Sequence, residues 1–229
     1  MFRPYRDRSV ANMPRDLRPG PQSPPTDELH SAEGTLGVLQ QVLHTVAADD
    51  MTRQTPCTEF DVTQLTAHLL KSITALGGMV GAEVPEPDET DSVERQVVAA
   101  ARPALDAWHR HGLDGTVPFG KDEMPAKGAC AILSIEFLVH AWDYAAAVGR
   151  EVDAPEPLSE YVLGLARQII RPELRGSAGF DDPVEVPADA GILEQLIAFT
   201  GRNPARSFGV FVECEAGFTL ERRTYARSR

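Results

Sequence analysis

The sequence predicts an all-α protein built as an antiparallel helical bundle. Apolar residues recur at helical spacing in several long windows, and Leu36, Leu39 and Val42 form the first such stripe. Residues that start and stop helices flank these windows, with Asp61 before the second and Gly149 after the fourth. Segments rich in proline and acidic residues separate the windows, as expected for loops. Long helices joined by such loops favour a bundle, with the later helices packed onto it.

The boundaries of six helices follow from these signals. The predicted helices span residues 29–49, 61–81, 91–111, 126–148, 157–170 and 190–200. Asp61 with Gln64 three residues later is the pattern of a capping box at the start of the second helix. Pro103 predicts a bend or a restart in the third helix, because proline lacks the amide hydrogen that the helix ladder needs. Gly149 suits the left-handed backbone that ends many helices.

The remaining segments are predicted as connections. Residues 112–128 are expected to be irregular, and residues 179–187 to form an extended loop. The basic, proline-rich stretch 1–26 is expected to be a disordered leader, since its composition cannot bury a core. The helical bundle is placed at 27–206, and the tail 207–229 is expected to be disordered or to form a small hairpin.

Composition narrows the classes of partner. The chain has 229 residues and a net charge of −12, which argues against binding to nucleic-acid phosphates or to anionic membrane surfaces. Its three widely spaced cysteines do not form a disulfide framework, so a cytoplasmic location is expected. No transmembrane span is expected either, because the most apolar stretch, 128–149, contains two carboxylates and a histidine.

The fourth predicted helix carries three ionisable groups in an otherwise apolar sequence. Glu136, His140 and Asp143 are spaced i, i+4 and i+7, so they share one helix face. The rest of this helix is mostly Ala, Leu, Val, Phe and Trp, and a helix that is apolar on every side is normally buried. An unpaired carboxylate in such surroundings either destabilises the fold or becomes neutral. These groups therefore need partners inside the protein.

Two arrangements would supply those partners. One is an internal network of hydrogen bonds and salt bridges, which is the more common solution. The other is a metal ion bound between facing helices of the bundle. The second helix offers a further ligand, because His68 lies at the edge of its apolar face beside Leu65 and Leu69. On the residues alone both arrangements stay open.

If a metal binds, His68, Glu136 and His140 are its candidate ligands. Two imidazoles and one carboxylate suit Zn²⁺ with an open fourth position, or Fe²⁺ in a facial triad. Asp143 would then accept a hydrogen bond from a ligating imidazole or orient a water molecule.

Three stretches of the chain resemble one family. TPCTEFDVTQLTAHLLKS and IEFLVHAWDYAAAVGR are similar to the second-helix and fourth-helix motifs of the DinB-like superfamily, which includes mycothiol-dependent maleylpyruvate isomerase. FDDPVEVPADAGILEQLIAFTGRNP resembles the C-terminal stretch of an actinobacterial metal-binding subfamily. The resemblance covers about residues 29–204. It implies a DinB-like four-helix bundle that holds a divalent metal, commonly zinc, on His68, Glu136 and His140.

The resemblance also implies a class of chemistry. Characterised relatives use a small thiol such as mycothiol or bacillithiol, and its metal-bound thiolate attacks small electrophiles in isomerisation or thiol transfer. The isomerase carries a second domain with a catalytic arginine, and this chain is expected to lack it. A non-catalytic metal-binding stress or sensor module therefore stays an alternative, as does a helical interaction module without metal. Such bundles often pair, so a homodimer is also an expectation.

Overall fold

A computed structural model describes residues 23–57, 60–175 and 180–206. The hairpin predicted in the tail, and all but the last residues of the predicted leader, lie outside these ranges. The described residues form six α-helices and one short two-stranded sheet, which confirms the all-α prediction. The helices are α1 Glu28–Leu43, α2 Val62–Gly78, α3 Val93–His111, α4 Ala126–Val148, α5 Glu156–Ile169 and α6 Ile192–Phe199. The strands are β1 Thr116–Phe119 and β2 Asp122–Pro125.

Four helices surround the main core, and two more extend it. α1 packs against α3 and α4, and α2 packs against the same two helices, so α1 and α2 lie at opposite corners. α5 covers α4 and α1, and α6 packs on α5 with a smaller contact to α4. The centre is filled by fully buried side chains from all four bundle helices, including Leu39, Leu69, Trp108 and Phe137. Their removal from water is the main force that holds the bundle together.

α4 is the central helix of the protein. Its boundaries are those predicted from the sequence, and Gly149 ends it with φ 68° and ψ 41°, in the left-handed region. Cys130 and Trp142 are buried in the core, as their apolar surroundings indicated. By length and composition alone α4 could cross a membrane, but 72% of its most apolar window is buried against the other helices. A buried core helix can have the same length and apolar composition, and α4 is such a helix.

The end of α1 and the course of α3 at Pro103 differ from the prediction. α1 ends at Leu43 rather than near residue 49, since the chain turns and forms a separate 3-10 turn at Ala48–Asp50. The Asp50 carboxylate accepts a hydrogen bond from the Ala47 amide at 2.9 Å, which stabilises this separate turn. α3 continues through Pro103 without a restart.

The connection at 112–128 is more regular than predicted. β1 and β2 pair in antiparallel register, and Phe119 opposite Asp122 closes a two-residue turn. Gly120 takes φ 63° in that turn, a conformation that glycine adopts without strain. Proline in both strands hid this hairpin, because proline normally argues against a strand unless both strands lie at an edge.

Candidate metal centre

α2 and α4 bring the three predicted ligands together. The Glu136 Oε2 atom lies 3.5 Å from His68 Nε2 and 3.6 Å from His140 Nε2. One ligand atom from each of the three residues falls within 4.8 Å of the other two. Within the described parts of the chain, no other three His, Cys, Asp or Glu side chains come together in this way. The bundle therefore converges His68 from α2 with two residues one turn apart on α4.

The start of α2 places His68 in the cluster. Asp61 and Gln64 form the predicted capping box, with the Gln64 amide donating to Asp61 Oδ1 at 2.8 Å and the Asp61 amide donating to Gln64 Oε1 at 2.9 Å. Further along α2, the Thr66 hydroxyl lies 2.9 Å from the Tyr144 hydroxyl of α4 in the buried interior. This contact joins the two ligand-bearing helices next to the site.

The cluster is buried on its α4 side and open on its α2 side. The exposed fraction of the side chain is 7% for His140, 14% for Glu136 and 36% for His68. The Phe60 ring lies against the His68 imidazole, with 5.1 Å between ring centroids. The His68 edge is therefore the side from which a small molecule would reach the cluster.

Among the described residues, Glu136 has a buried oxygen without a hydrogen-bond partner. Its Oε2 atom is shielded from solvent, and the separations of 3.5 and 3.6 Å to the two imidazoles are too long for good hydrogen bonds. Burial alone would raise the pKa of Glu136, but His140 and His68 outweigh it and hold that pKa well below its ordinary value. The site thus contains a buried carboxylate that is ionised and lacks a close partner.

The other nitrogen of His140 is satisfied by Asp143. His140 Nδ1 donates to Asp143 Oδ2 at 2.9 Å, which leaves Nε2 directed towards Glu136. Burial opposes protonation of the imidazole, yet Asp143 and Glu136 together raise the pKa of His140 to about 9. Asp143 thus accepts a hydrogen bond from His140, which is the contact expected of it if this imidazole is a metal ligand.

Arg202 completes this arrangement, and the sequence analysis missed it. Its Nε donates to Asp143 Oδ1 at 2.7 Å and its Nη2 donates to Asp143 Oδ2 at 2.8 Å. Burial would raise the pKa of Asp143, but Arg202 and His140 hold it below its ordinary value. A glycine directly before this arginine, after the apolar run of α6, is the one local signal that the chain turns there.

The segment before α2 forms the wall beside His68. The buried Thr55 hydroxyl donates to the carbonyl oxygens of Phe60 at 2.7 Å and Cys57 at 3.0 Å. The Phe60 amide also donates to the Cys57 carbonyl at 2.9 Å. These bonds close the turn and hold Phe60 where its ring meets His68.

Other histidines take ordinary surface roles. His44 pairs with Glu94 at 3.0 Å, and His109 pairs with Glu33 at 2.7 Å. Both pairs are solvent-exposed on at least one side. These histidines lie outside the cluster and serve as controls for experiments on it.

The cluster fits a divalent metal ion. Two ligand atoms at about 2.1 Å from a tetrahedral ion are separated by about 3.4 Å, close to the two separations measured from Glu136. The buried Glu136 oxygen has no hydrogen-bond partner in the part of the chain that the structure describes, and both imidazoles direct a ring nitrogen towards it. A cation would satisfy all three groups at once.

Comparisons with known proteins agree with the sequence motifs. A family model described as the mycothiol maleylpyruvate isomerase N-terminal domain matches residues 35–118, a range that includes His68. Two proteins of Mycobacterium tuberculosis strains, both described as uncharacterized, are 28% identical over 178 residues, covering 77% of this chain and 98% of each relative. No solved structure gives a significant match. The resemblance inferred from the sequence is confirmed, because residues 35–118 are similar to the mycothiol maleylpyruvate isomerase N-terminal domain.

Proposed function

We propose that this protein is a divalent-metal-dependent transferase or isomerase. Its co-substrate would be a small thiol such as mycothiol. The observation that carries the proposal is the convergence of His68, Glu136 and His140, with a buried Glu136 oxygen that has no hydrogen-bond partner within the described ranges. The mycothiol-related family of residues 35–118 supports a thiol as co-substrate. Zinc is the ion we propose, because two imidazoles and one carboxylate are a familiar zinc ligand set.

The residues present would divide the work among them. His68, Glu136 and His140 would hold the ion, and Asp143 keeps His140 in the tautomer that presents Nε2. A bound divalent ion supplies Lewis acidity, which lowers the pKa of a thiol so that it is a thiolate at neutral pH. With three protein ligands, one coordination position stays open in a tetrahedral site.

The shape of the site supports access by a small molecule. His68 is the most exposed of the three residues, and Phe60 borders it with an apolar ring. Phe60 would exclude water from one side of the reacting sulfur and contact an apolar part of the substrate.

The proposed reaction needs no oxidant or reductant. When the thiol adds to an activated alkene, its sulfur forms a bond to the electrophilic carbon, and the alkene electron pair becomes a carbanion or enolate. The thiol gives up its proton, and the neighbouring carbon takes up a proton, so the adduct has no net change in charge. Reversal after rotation about the former double bond returns the thiol and gives isomerisation, whereas retention of the adduct gives thiol transfer.

The first test measures the metal content of the protein and its thiol-dependent activity. Tag-free wild-type protein is expected to contain about one divalent ion per chain by ICP-MS, and the variants His140→Ala and Glu136→Gln are expected to lose it. In the presence of mycothiol and a maleyl-type electrophile, the metal-loaded wild type is then expected to accelerate either the loss of mycothiol or the isomerisation of the electrophile. Neither variant should do so, while His44→Ala, which removes an exposed histidine paired with Glu94, should match the wild type.

Two results would contradict the proposal in different ways. If the wild type binds no divalent ion after reconstitution, the cluster is a buried polar network and the metal proposal fails. If it binds the ion but neither consumes thiol nor isomerises any electrophile of a panel in the presence of thiol, the enzymatic proposal fails. The alternative of a non-catalytic metal-binding module would then be favoured.

A further inference from the structure

Arg202 reaches the candidate metal centre from a distant part of the chain. It follows α6 and lies 59 residues from Asp143 in sequence, yet its guanidinium makes two hydrogen bonds to that carboxylate. The exposed fraction is 9% for the Arg202 side chain and 0% for the Asp143 side chain. Because a two-pronged arginine–carboxylate pair fixes both the distance and the plane of its groups, Asp143 has a defined orientation.

That orientation is passed to His140. Asp143 Oδ2 accepts from Arg202 and from His140 Nδ1 at the same time, at 2.8 and 2.9 Å. Nδ1 of the imidazole therefore carries the hydrogen, and Nε2 is left to act as a ligand. Without Arg202, the buried Asp143 carboxylate would lose two of the hydrogen bonds that orient it and would keep the one from His140.

The turn after α6 holds Arg202 in place. The Gly201 amide donates to the Ala198 carbonyl, and the Arg202 amide donates to the Ile197 carbonyl, as in a Schellman motif. Gly201 takes φ 89°, and a Cβ atom there would lie 2.6 Å from Asp181 Cβ. The conformation and the close approach both require glycine, so the backbone that delivers Arg202 has little freedom.

A second arginine fixes the far side of this turn. The buried Arg175 donates through Nη1 to the carbonyls of Asp181 at 2.8 Å and Phe199 at 2.9 Å. Its guanidinium also lies 4.6 Å from the centre of the Phe199 ring. The end of α6 is thus tied to the segment that packs on Gly201, and both support the position of Arg202.

We infer that Arg202 is a positioning residue of the candidate metal centre, which acts through Asp143 to present His140 Nε2 towards Glu136 and His68. This inference rests on the proposed metal site. It adds to that proposal that the turn after α6 is part of the functional unit. Arg202 donates hydrogen bonds to Asp143 and to Thr200, and we assign its role through Asp143.

The test uses variants of the full chain and begins with the metal-free protein. Arg202→Ala removes the guanidinium, Arg202→Lys keeps the charge but not the two-pronged contact, and Asp143→Asn removes the carboxylate charge. Arg95→Ala is the control, because Arg95 pairs with Asp91 on the exposed start of α3. In the wild type, NMR of the His140 ring is expected to show an Nδ1 proton protected from exchange. The signal should be lost in Arg202→Ala, weakened in Arg202→Lys and unchanged in Arg95→Ala.

The second readout is the affinity for Zn²⁺, measured by competition with a chelator. Arg202→Ala and Asp143→Asn are each expected to weaken binding about 10- to 100-fold, and the double variant should be no weaker than the worse single variant. Arg202→Lys should fall between Arg202→Ala and the wild type. A residue with a purely structural role would lower the melting temperature of the metal-free protein but leave the affinity and the His140 signal unchanged.

The outcomes separate this inference from the proposed function. An unchanged His140 signal in Arg202→Ala overturns the inference, whether or not metal binds. A lost signal with unchanged Zn²⁺ affinity also overturns it, because Arg202 would then not serve the metal centre. If the wild type binds no ion, the proposed function fails, while the His140 signal alone decides whether Arg202 positions the imidazole. If Arg202→Ala does not fold, Arg202→Lys gives the same decision.

Discussion

Glu136 is the residue at which the chemistry of the site is most sharply defined. Its buried Oε2 atom lies near two imidazole nitrogens without a good hydrogen bond to either of them. A buried carboxylate normally accepts hydrogen bonds from nearby donors, because a buried carboxylate without donors destabilises the fold. The wider spacing around Glu136 leaves room for an ion between the three groups, which a tight polar network would not.

His140 gives a pH dependence that can be measured without metal. Its folded-state pKa of about 9 lies above the ordinary value of 6.5, so the folded protein holds this proton more tightly than the unfolded chain does. The resulting stability is fully present below pH 6.5 and is lost as the pH rises to about 9. Glu136 and Asp143, whose pKa values are lowered, contribute no change in this range.

The prediction is that the metal-free protein loses roughly 2–3 kcal/mol of unfolding free energy between pH 6.5 and 9. Urea unfolding at a series of pH values, in the presence of EDTA, measures this loss. In His140→Gln, which cannot titrate, the slope over this range should be much smaller. Equal slopes in the two proteins would show that His140 is not protonated in the folded metal-free state.

At the scale of elements, the close packing of α2 on α3 positions the helix that carries His68. Gly77 is buried in this contact, and a Cβ atom built there would lie 2.8 Å from Ala104 Cβ and 3.2 Å from Ala104 Cα. The neighbouring Gly78 is exposed, and a Cβ atom there would meet nothing within 4 Å. Gly77 therefore allows α2 and α3 to approach closely, whereas Gly78 has no part in this contact.

Alanine substitutions at these two positions should change stability in opposite directions. Gly77→Ala forces α2 and α3 apart and is expected to lower the free energy of unfolding by roughly 1–3 kcal/mol. Gly78→Ala restricts the unfolded chain without a clash and is expected to raise it by roughly 0.4–1 kcal/mol. Thermal and urea unfolding of the metal-free variants measures both values. A neutral Gly77→Ala would mean that the helices are not in close contact there.

At the scale of the whole molecule, the candidate site joins parts of the chain that are far apart in sequence. His68 comes from α2, Glu136 and His140 come from α4, and Arg202 follows α6. An ion bound to the folded cluster but not to the unfolded chain stabilises the whole fold, because the ligands come together only in the folded state.

Metal binding should therefore raise the melting temperature. With free Zn²⁺ at about 100 times its dissociation constant the gain is about 2.7 kcal/mol, or roughly 5–10 °C for a chain of this size. Calorimetry of EDTA-treated protein, before and after metal is restored, measures the shift. His109→Ala, which removes an exposed histidine paired with Glu33, should keep the full shift, whereas His68→Ala should lose most of it. Equal shifts in both variants would place the ion elsewhere.

The sequence by itself determined the helices that carry the site and the helix face that Glu136, His140 and Asp143 share. Apolar periodicity, the Asp61–Gln64 capping box and the Gly149 stop are local signals, and the structure bears out α2 and α4 from them. The spacing of Glu136, His140 and Asp143 placed them on one face for the same reason, since helix geometry is fixed within a few residues. The hairpin at 116–125 and the early end of α1 were missed, because proline and turn signals there admit more than one local conformation.

Only the tertiary structure decided which residues from distant parts of the chain complete the cluster. The approach of His68 to Glu136 depends on how α2 packs against α4, and no local pattern fixes that distance. The bond from Arg202 to Asp143 spans 59 residues and depends on the docking of α6, the turn at Gly201 and the contacts of Arg175. Such pairings are set by burial and packing of the whole chain, whereas helix starts, stops and faces are set by neighbours within a few turns.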